Sequence, residues 1–181
     1  NRELALLKVI FSKAVKWGYA SHNPVKDVEL FKEEKTPIRI LTPEERRKLF
    51  EASPEFLRPI LLMALKTGMR QSEILGLKWK DVDFTHDTIS ITHTKAKKLR
   101  QIPIHPELKG MLEARPRRFP HVFTSKAGDP FHRNGFVREA FESLRTAIGI
   151  PELTFHALRH NFASELIAKG YQIPHVIGLL W

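Results

Sequence analysis

The chain has 181 residues, and its 30 lysines and arginines outnumber its 20 aspartates and glutamates, which gives a formal net charge of +10. A chain this basic favours a polyanionic ligand such as a nucleic acid. The absence of cysteine excludes disulfides and thiolate metal sites, and no apolar run approaches the roughly 18 residues of a membrane span. We therefore predict a cytoplasmic protein, nucleoid-associated when bound to DNA, with no membrane partner.

The first segment is predicted to be a helix followed by a linker. Its apolar residues recur at helical spacing and Gly18 is a natural stop; they are Leu4, Leu7, Phe11, Ala14 and Val15. The stretch that follows, residues 21–37, is polar, charged and punctuated by proline. Because the helix begins without a capping residue, we interpret residues 1–35 as the C-terminal part of a preceding domain plus linker, and residues 40–181 as a second domain.

The second domain is predicted to open with a well-specified helix. Thr42-Pro43-Glu44-Glu45 has the pattern of a capping box, with Thr42 as the cap, Pro43 in the first helical position and Glu45 reaching back to the cap amide. A core helix is then predicted from Phe56 to Leu65 and ended by Gly68. Arg70 would therefore lie at the start of the next short helix.

The rest of the chain predicts a small sheet and two more helices. Isoleucines alternate on either side of a basic turn, which indicates a β-hairpin; they are Ile89, Ile91, Ile102 and Ile104. One helix is expected to place Phe136, Ala140, Phe141, Leu144 and Ile148 on one face, and another to run from about His156 to Lys169. The predicted fold class is mainly α with a small antiparallel β-sheet (α+β).

Two arginines, a lysine and a histidine suit phosphoryl chemistry performed by side chains alone. Guanidinium forks stabilise charge that develops on the nonbridging oxygens of a phosphate. His156 and Arg159 are three residues apart on a predicted helix, so both can address one phosphate. His156 and His160 have the spacing of a metal pair, but the segment between them lacks a glutamate and places Arg159 against the metal. We therefore predict no metal and no cofactor.

Four segments in this order resemble the tyrosine recombinase (phage integrase) family. They are Leu41-Thr42-Pro43-Glu44-Glu45, then Thr67-Gly68-Met69-Arg70 with Ser72-Glu73, then Thr94-Lys95 in the hairpin, then His156-x-x-Arg159-His160. The resemblance implies that residues 1–35 are similar to the end of the helical core-binding domain and the remainder to the catalytic domain. It also implies that a tyrosine attacks the scissile phosphate of DNA and forms a 3′-phosphotyrosyl link, without metal or nucleotide.

The resemblance also implies roles for individual residues. Arg70 and Arg159 would grip the nonbridging oxygens, Lys95 would be the general acid for the 5′ leaving oxygen, and His156 would assist proton transfer. The expected supporting residues are Glu73 and Trp181. The expected DNA contacts are Lys97, Lys98, Arg100, Arg133 and His160, and the expected partners are a double-stranded attachment or recombination site and other protomers assembled on it as a tetramer.

The family tyrosine has no counterpart in the sequence, which contains only Tyr19 and Tyr171. Neither matches the family position, since Tyr171 follows Arg159 too closely. We therefore expect a DNA-binding fragment, incomplete at its C-terminus, of a site-specific recombinase or integrase, and expect it to be inactive alone. The alternative is a non-catalytic DNA-binding module, or an inactive mobile-element remnant, on the same scaffold.

Overall fold

The computed structural model describes residues 1–32, 39–92, 99–131 and 135–180. The chain divides into two compact units, Asn1–Pro37 and Ile38–Trp181. Within the described ranges, no helix is both long and apolar enough to cross a membrane.

The first unit is one helix with a segment that folds back along it. Helix α1 spans Arg2–Lys16, which confirms the predicted helix, and the side chain of Asn23 donates to the Lys8 carbonyl at 3.0 Å and to Ser12 Oγ at 2.9 Å. No residue of α1 is buried in the described structure. Leu7 is 42% exposed and Val15 37%, so the predicted apolar face is only partly covered.

The second unit combines seven helices with a three-stranded antiparallel sheet in its described part, which confirms the predicted fold class. Its elements in chain order are α2 Pro43–Glu51, α3 Arg58–Thr67, α4 Gln71–Leu75, a 3₁₀ turn Trp79–Asp81, β1 Val82–Asp83, β2 Thr88–Thr92, β3 Leu99–Pro103, α5 Pro106–Glu113, α6 Phe136–Ala147, α7 Phe155–Ala168 and α8 Ile173–Leu180. The sequence pattern had not predicted α5 or α8 as separate helices.

Helix α2 begins at the predicted capping box. Thr42 Oγ1 accepts from the Glu45 amide at 3.2 Å, and Glu45 Oε2 accepts from the Thr42 amide at 2.9 Å. The reciprocal pair satisfies two amide groups that have no partner within the helix, those of Thr42 and Glu45, and so fixes where the chain enters the helix. The prediction for residues 42–45 is confirmed.

Helix α3 is the centre of the core and packs against α7. Ile60, Leu61, Ala64 and Leu65 are at most 1% exposed, as the helical spacing predicted. The hairpin is also confirmed, because β2 and β3 pair with Ile89 opposite Ile102 and Ile91 opposite Arg100. The sheet therefore adds Ile89 and Ile102, which are at most 1% exposed, to the same core as α3.

Asn161 joins the entry of the second unit to α7. Its side chain is buried, accepts from the Leu41 amide at 2.6 Å, and donates to the carbonyls of Arg39 at 3.0 Å and Ala157 at 2.7 Å. Every hydrogen-bonding atom of this amide is thus used, as burial of a polar group requires. Residues 39–41 are thus attached to α7 at Asn161, two residues after Arg159.

Candidate active site

A tight turn after α3 sets the position of Arg70. Gly68 ends α3 in the left-handed conformation, with φ 62°, and its amide donates to the Ala64 carbonyl at 3.1 Å. The buried Thr67 hydroxyl donates to the Met63 carbonyl at 2.5 Å and accepts from the Met69 amide at 3.2 Å. The backbone on both sides of Gly68 is therefore fixed before Arg70 begins α4.

Arg70 is held by Glu73, one turn into α4. Glu73 Oε2 accepts from the Arg70 amide at 2.7 Å, and Glu73 Oε1 accepts from Arg70 Nη1 at 2.9 Å. Burial raises the pKa of Glu73, but the hydrogen bonds from Arg70 and the charge of Arg100 outweigh burial and leave that pKa below its usual value. Glu73 is thus a carboxylate that holds Arg70 in place, and its supporting role in catalysis stays a prediction.

Arg159 lies on α7 with its side chain buried. Its Nη1 donates to the Gly68 carbonyl at 2.7 Å and its Nη2 to the Leu180 carbonyl, the last of α8, at 2.5 Å. Burial lowers the pKa of Arg159 to about 10, and the charges of Arg70 and Arg100 contribute to that shift. The guanidinium remains protonated at neutral pH and ties together the ends of α3, α7 and α8.

Arg100, which the sequence analysis expected to contact DNA, is buried in the structure and binds other parts of the protein. The residue is 5% exposed, and it donates through Nη2 to Glu73 Oε2 at 2.9 Å and through Nη1 to the Leu180 carbonyl at 2.6 Å. Its strand alternates exposed and buried positions, and Arg100 shares the inward face with Ile102. The period-two alternation of Arg100, Ile102 and Ile104 in the sequence is consistent with this inward position.

The four charged side chains of Arg70, Glu73, Arg100 and Arg159 form a cluster with excess positive charge. Three arginines against one glutamate give +3 − 1 = +2 for these side chains. Such a cluster, partly desolvated, is electrostatically receptive to an anion. A phosphodiester supplies one negative charge with two nonbridging oxygens, which matches guanidinium donors.

His156 and His160 stand one turn apart on α7. Their rings meet edge to face with centroids 4.6 Å apart. Partial desolvation lowers the pKa of His156, and the charges of His160, Arg159 and Arg70 lower it further. An imidazole that is neutral at neutral pH can accept or pass on a proton, so the prediction for His156 is chemically consistent with its surroundings.

A groove of about 800 Å³ opens beside Arg70. Charged and polar side chains from the region of α4, the 3₁₀ turn and β2 line it: Arg70, Ser72, Glu73, Lys78, Lys80, Asp81, Ser90 and Thr92. Three cations against the two carboxylates of Glu73 and Asp81 leave the groove with a net positive charge, which favours an anionic ligand such as a phosphate backbone. The sequence reasoning had not singled out Lys78 or Lys80, although both follow the Arg70 segment closely.

Several predicted site residues lie outside the described residues, namely Lys95, Lys97, Lys98, Arg133 and Trp181. The two tyrosines are described and are both exposed, Tyr19 at 84% and Tyr171 at 54%. Tyr171 follows the C-terminal end of α7, whereas His156 is the second residue of that helix. Since a helix rises 1.5 Å per residue, the two residues are separated by roughly 20 Å.

The relatives of the chain are DNA recombinases and integrases. The model of the phage integrase family matches residues 39–180. A shufflon-specific DNA recombinase of Escherichia coli is 34% identical, and the match covers 93% of this chain and 43% of the recombinase. The integrase of Haemophilus phage HP1 is 33% identical, and the match covers 96% of this chain and 49% of the integrase. A XerC-like tyrosine recombinase of Caldanaerobacter subterraneus subsp. tengcongensis is 28% identical over 96% and 56%. The chain therefore spans about half the length of these curated relatives.

Solved structures give the same fold. A lambda integrase dimer bound to a COC′ core site superposes with a TM-score of 0.79 at 24% identity, over 98% of this chain and 69% of that one. The Tn1549 transposon integrase in complex with circular intermediate DNA has a TM-score of 0.74 at 21% identity, over 99% and 69%. With the family model matched across the whole described part of the second unit, the chain belongs to the phage integrase family of tyrosine recombinases.

Proposed function

We propose that this chain is the DNA-binding and phosphate-activating part of a site-specific DNA recombinase or integrase. One observation carries the proposal: a single network of hydrogen bonds holds both arginines beside a groove that lysines line. Arg70 is bound by Glu73, and Arg159 by the carbonyls of Gly68 and Leu180. Residues 1–35 would be the end of a core-binding domain, and residues 40–181 the catalytic domain.

In the proposed reaction a tyrosine oxygen attacks the scissile phosphorus and the bond from phosphorus to the 5′ oxygen breaks. The negative charge that grows on the nonbridging oxygens is stabilised by Arg70, which lines the groove, and by Arg159. Lys95 would give its proton to the departing 5′ oxygen, a step that an arginine could not perform because it does not release its proton. His156, with its lowered pKa, would assist transfer of the proton from the tyrosine hydroxyl. The 5′ hydroxyl then attacks the phosphotyrosine of a partner strand and releases the tyrosine.

We propose that neither tyrosine within residues 1–181 is the nucleophile of this reaction. Tyr19 belongs to the first compact unit, and Tyr171 lies at the far end of α7 from His156. We therefore propose that this chain binds and orients DNA without cutting it unaided. Reading the coding sequence past the codon for Trp181 tests this: a downstream tyrosine supports the recombinase, and a stop codon there favours the DNA-binding module.

The proposed partners are double-stranded DNA and further protomers on the same DNA. The lambda integrase tetramer bound to a Holliday junction, which has a TM-score of 0.78 to this chain, supports that assembly by analogy of fold. Backbone recognition predicts steep salt dependence, because each neutralised phosphate releases condensed counterions. Fluorescence anisotropy with a labelled duplex at several salt concentrations measures it, and affinity that does not change with salt would contradict the proposal.

Separate effects on binding and cleavage test the active-site assignment. In the full-length protein, Arg70→Ala should reduce single-turnover DNA cleavage by about 10²- to 10³-fold, while other phosphate contacts keep the Kd within about threefold. Arg47→Ala is the control, since it removes one arginine from the exposed face of α2, where Arg47 pairs with Glu44 and Glu51. Equal losses of binding and cleavage in Arg70→Ala would place that residue in general DNA binding instead.

The role of Lys95 has its own test. Lys95→Ala should slow cleavage of normal DNA but not of a substrate whose bridging 5′ oxygen is replaced by sulfur, because a thiolate leaves without a proton. If the sulfur substrate is cut as slowly as normal DNA by Lys95→Ala, Lys95 is not the general acid.

A further inference from the structure

The positions of the two proposed catalytic arginines are linked through a third one. Glu73 Oε1 accepts from Arg70, and Glu73 Oε2 accepts from Arg100 Nη2 at 2.9 Å. Arg100 Nη1 in turn donates at 2.6 Å to the Leu180 carbonyl, which also accepts from Arg159 Nη2. An unbroken path of hydrogen bonds therefore runs from Arg70 through Glu73, Arg100 and Leu180 to Arg159.

The geometry of Arg100 suits it to fix this path. A guanidinium is planar and rigid, so its two Nη atoms hold the Glu73 carboxylate and the Leu180 carbonyl at a set separation. The residue is buried, and the Glu73 side chain is only 12% exposed, so water competes little for these bonds. Arg100 faces the core from β3, opposite Ile91 of β2, so the sheet determines where the guanidinium lies.

The Leu180 carbonyl is a favourable meeting point for two cations. The last carbonyls of a helix have no partner within the helix and carry partial negative charge. Two arginines from different elements, β3 and α7, share this one acceptor at the end of α8. The mutual repulsion of the guanidiniums is reduced by Glu73, whose charge raises the pKa of Arg159 while Arg70 and Arg100 lower it.

We propose that Arg100 is a positioning residue, whose buried guanidinium sets the spacing between Arg70 and Arg159 and so preorganises the pair for one phosphodiester. This rests on the proposed function, in which those two arginines bind the scissile phosphate. Arg100 does not contact the reacting atoms; it acts through Glu73 and the end of α8.

Arg100→Lys separates geometry from charge. A lysine keeps the positive charge, but its single ammonium cannot reproduce the rigid two-pronged contact with Glu73 and Leu180. Arg100→Gln removes the charge as well. Arg58→Gln is the matched control, because Arg58 also donates to a backbone carbonyl, that of Ser53 at 3.0 Å, but at the opposite end of α3 from Gly68.

The readouts are the NMR titration of His156 and the side-chain Nε–Hε signals of Arg70 and Arg159, recorded on this chain without DNA. Arg70 and Arg159 both lower the pKa of His156, so that pKa depends on where their guanidiniums lie. If Arg100 positions the pair, Arg100→Lys and Arg100→Gln should both change the pKa of His156 and displace both arginine signals. Arg58→Gln should leave all three at their wild-type values.

Two results would overturn the proposal. One is a wild-type titration of His156 and unmoved arginine signals in Arg100→Lys, since only the charge of Arg100 would then matter. The other is that neither variant folds, as judged by circular dichroism, which would make Arg100 a stability residue. Binding of a labelled duplex by the wild-type chain is measured alongside: its absence would refute the proposed function, while the comparison without DNA still decides the role of Arg100.

Discussion

Gly68→Ala is predicted to be among the most damaging single-methyl changes in this chain. Gly68 has φ 62°, and a Cβ added there would lie 2.5 Å from Phe162 Cδ1 and 2.6 Å from Leu180 Cδ2. Ordinary contacts between carbon atoms are about 3.5–4.0 Å, so both neighbours would have to retreat by about 1 Å. Phe162 and Leu180 are themselves buried, at 9% and 8% exposure, and have little room to do so.

Two effects contribute to the expected loss of stability. Placing alanine in the left-handed region costs about 1–2 kcal/mol, and overpacking a closed core costs about 1–3 kcal/mol more. Gly149 provides a matched control in the same unit, because it has φ 79° and nothing within 4 Å of an added Cβ. We therefore expect Gly149→Ala to lose only the conformational part, about 1–2 kcal/mol, and Gly68→Ala about 2–5 kcal/mol.

Urea unfolding followed by far-UV circular dichroism measures both free energies of unfolding. The informative quantity is the difference between the two variants, since the left-handed penalty is common to them. If Gly68→Ala is no less stable than Gly149→Ala, then Phe162 and Leu180 accommodate the methyl group without cost. The account of a closely packed junction between α3, α7 and α8 would then be refuted.

Three further changes test other contacts of the second unit. Thr42→Ala removes the side-chain cap of α2 and should lower the free energy of unfolding by about 1 kcal/mol in the same urea assay, whereas Thr42→Ser should retain most of it. Asn161→Asp keeps an acceptor for the Leu41 amide but loses both donated hydrogen bonds, so a drop of about 1–3 kcal/mol is expected, and an unchanged midpoint would contradict the role of this amide. The pKa of His156 is lowered in the folded chain, so the unfolded chain binds a proton at this residue more readily. The free energy of unfolding should therefore decline as the pH falls below the ordinary pKa of histidine. Urea titrations at several pH values measure this decline, and His156→Gln should reduce it.

The helices that could be predicted are those whose signals are local. The Thr42-Pro43-Glu44-Glu45 box and the spacing of Ile60, Leu61, Ala64 and Leu65 each depend on residues within one or two turns, and both predictions are confirmed. The termination of α3 at Gly68 is likewise local, because a left-handed residue favours glycine. Local patterns thus predicted where the chain presents Arg70.

The partners within the site could not be predicted in the same way. The contacts of Arg159 with Gly68 and Leu180 span 91 and 21 residues, and that of Arg100 with Leu180 spans 80. Such contacts depend on how α3, α7, α8 and β3 pack, which no periodicity in a single element encodes. The alternation along β3 places Arg100 on the inward face with Ile102, but it does not indicate that Glu73 and the Leu180 carbonyl accept its hydrogen bonds.

The contacts that fold the second unit are also the contacts that assemble its candidate site. Arg159 is 4% exposed and its guanidinium is occupied by the backbone at the ends of α3 and α8, whereas the side chain of Arg70 is 31% exposed beside the groove. The packing of the core therefore fixes the guanidinium of Arg159, and Arg70 completes the proposed phosphate site from the side of the groove. Preorganisation of this kind spares the reaction the cost of ordering charged side chains when the phosphate arrives. It follows that a substitution in the core near Gly68 acts on the site directly, even where the protein remains folded. It moves the Gly68 carbonyl, which accepts from Arg159, and the Leu180 carbonyl, which Arg159 and Arg100 share.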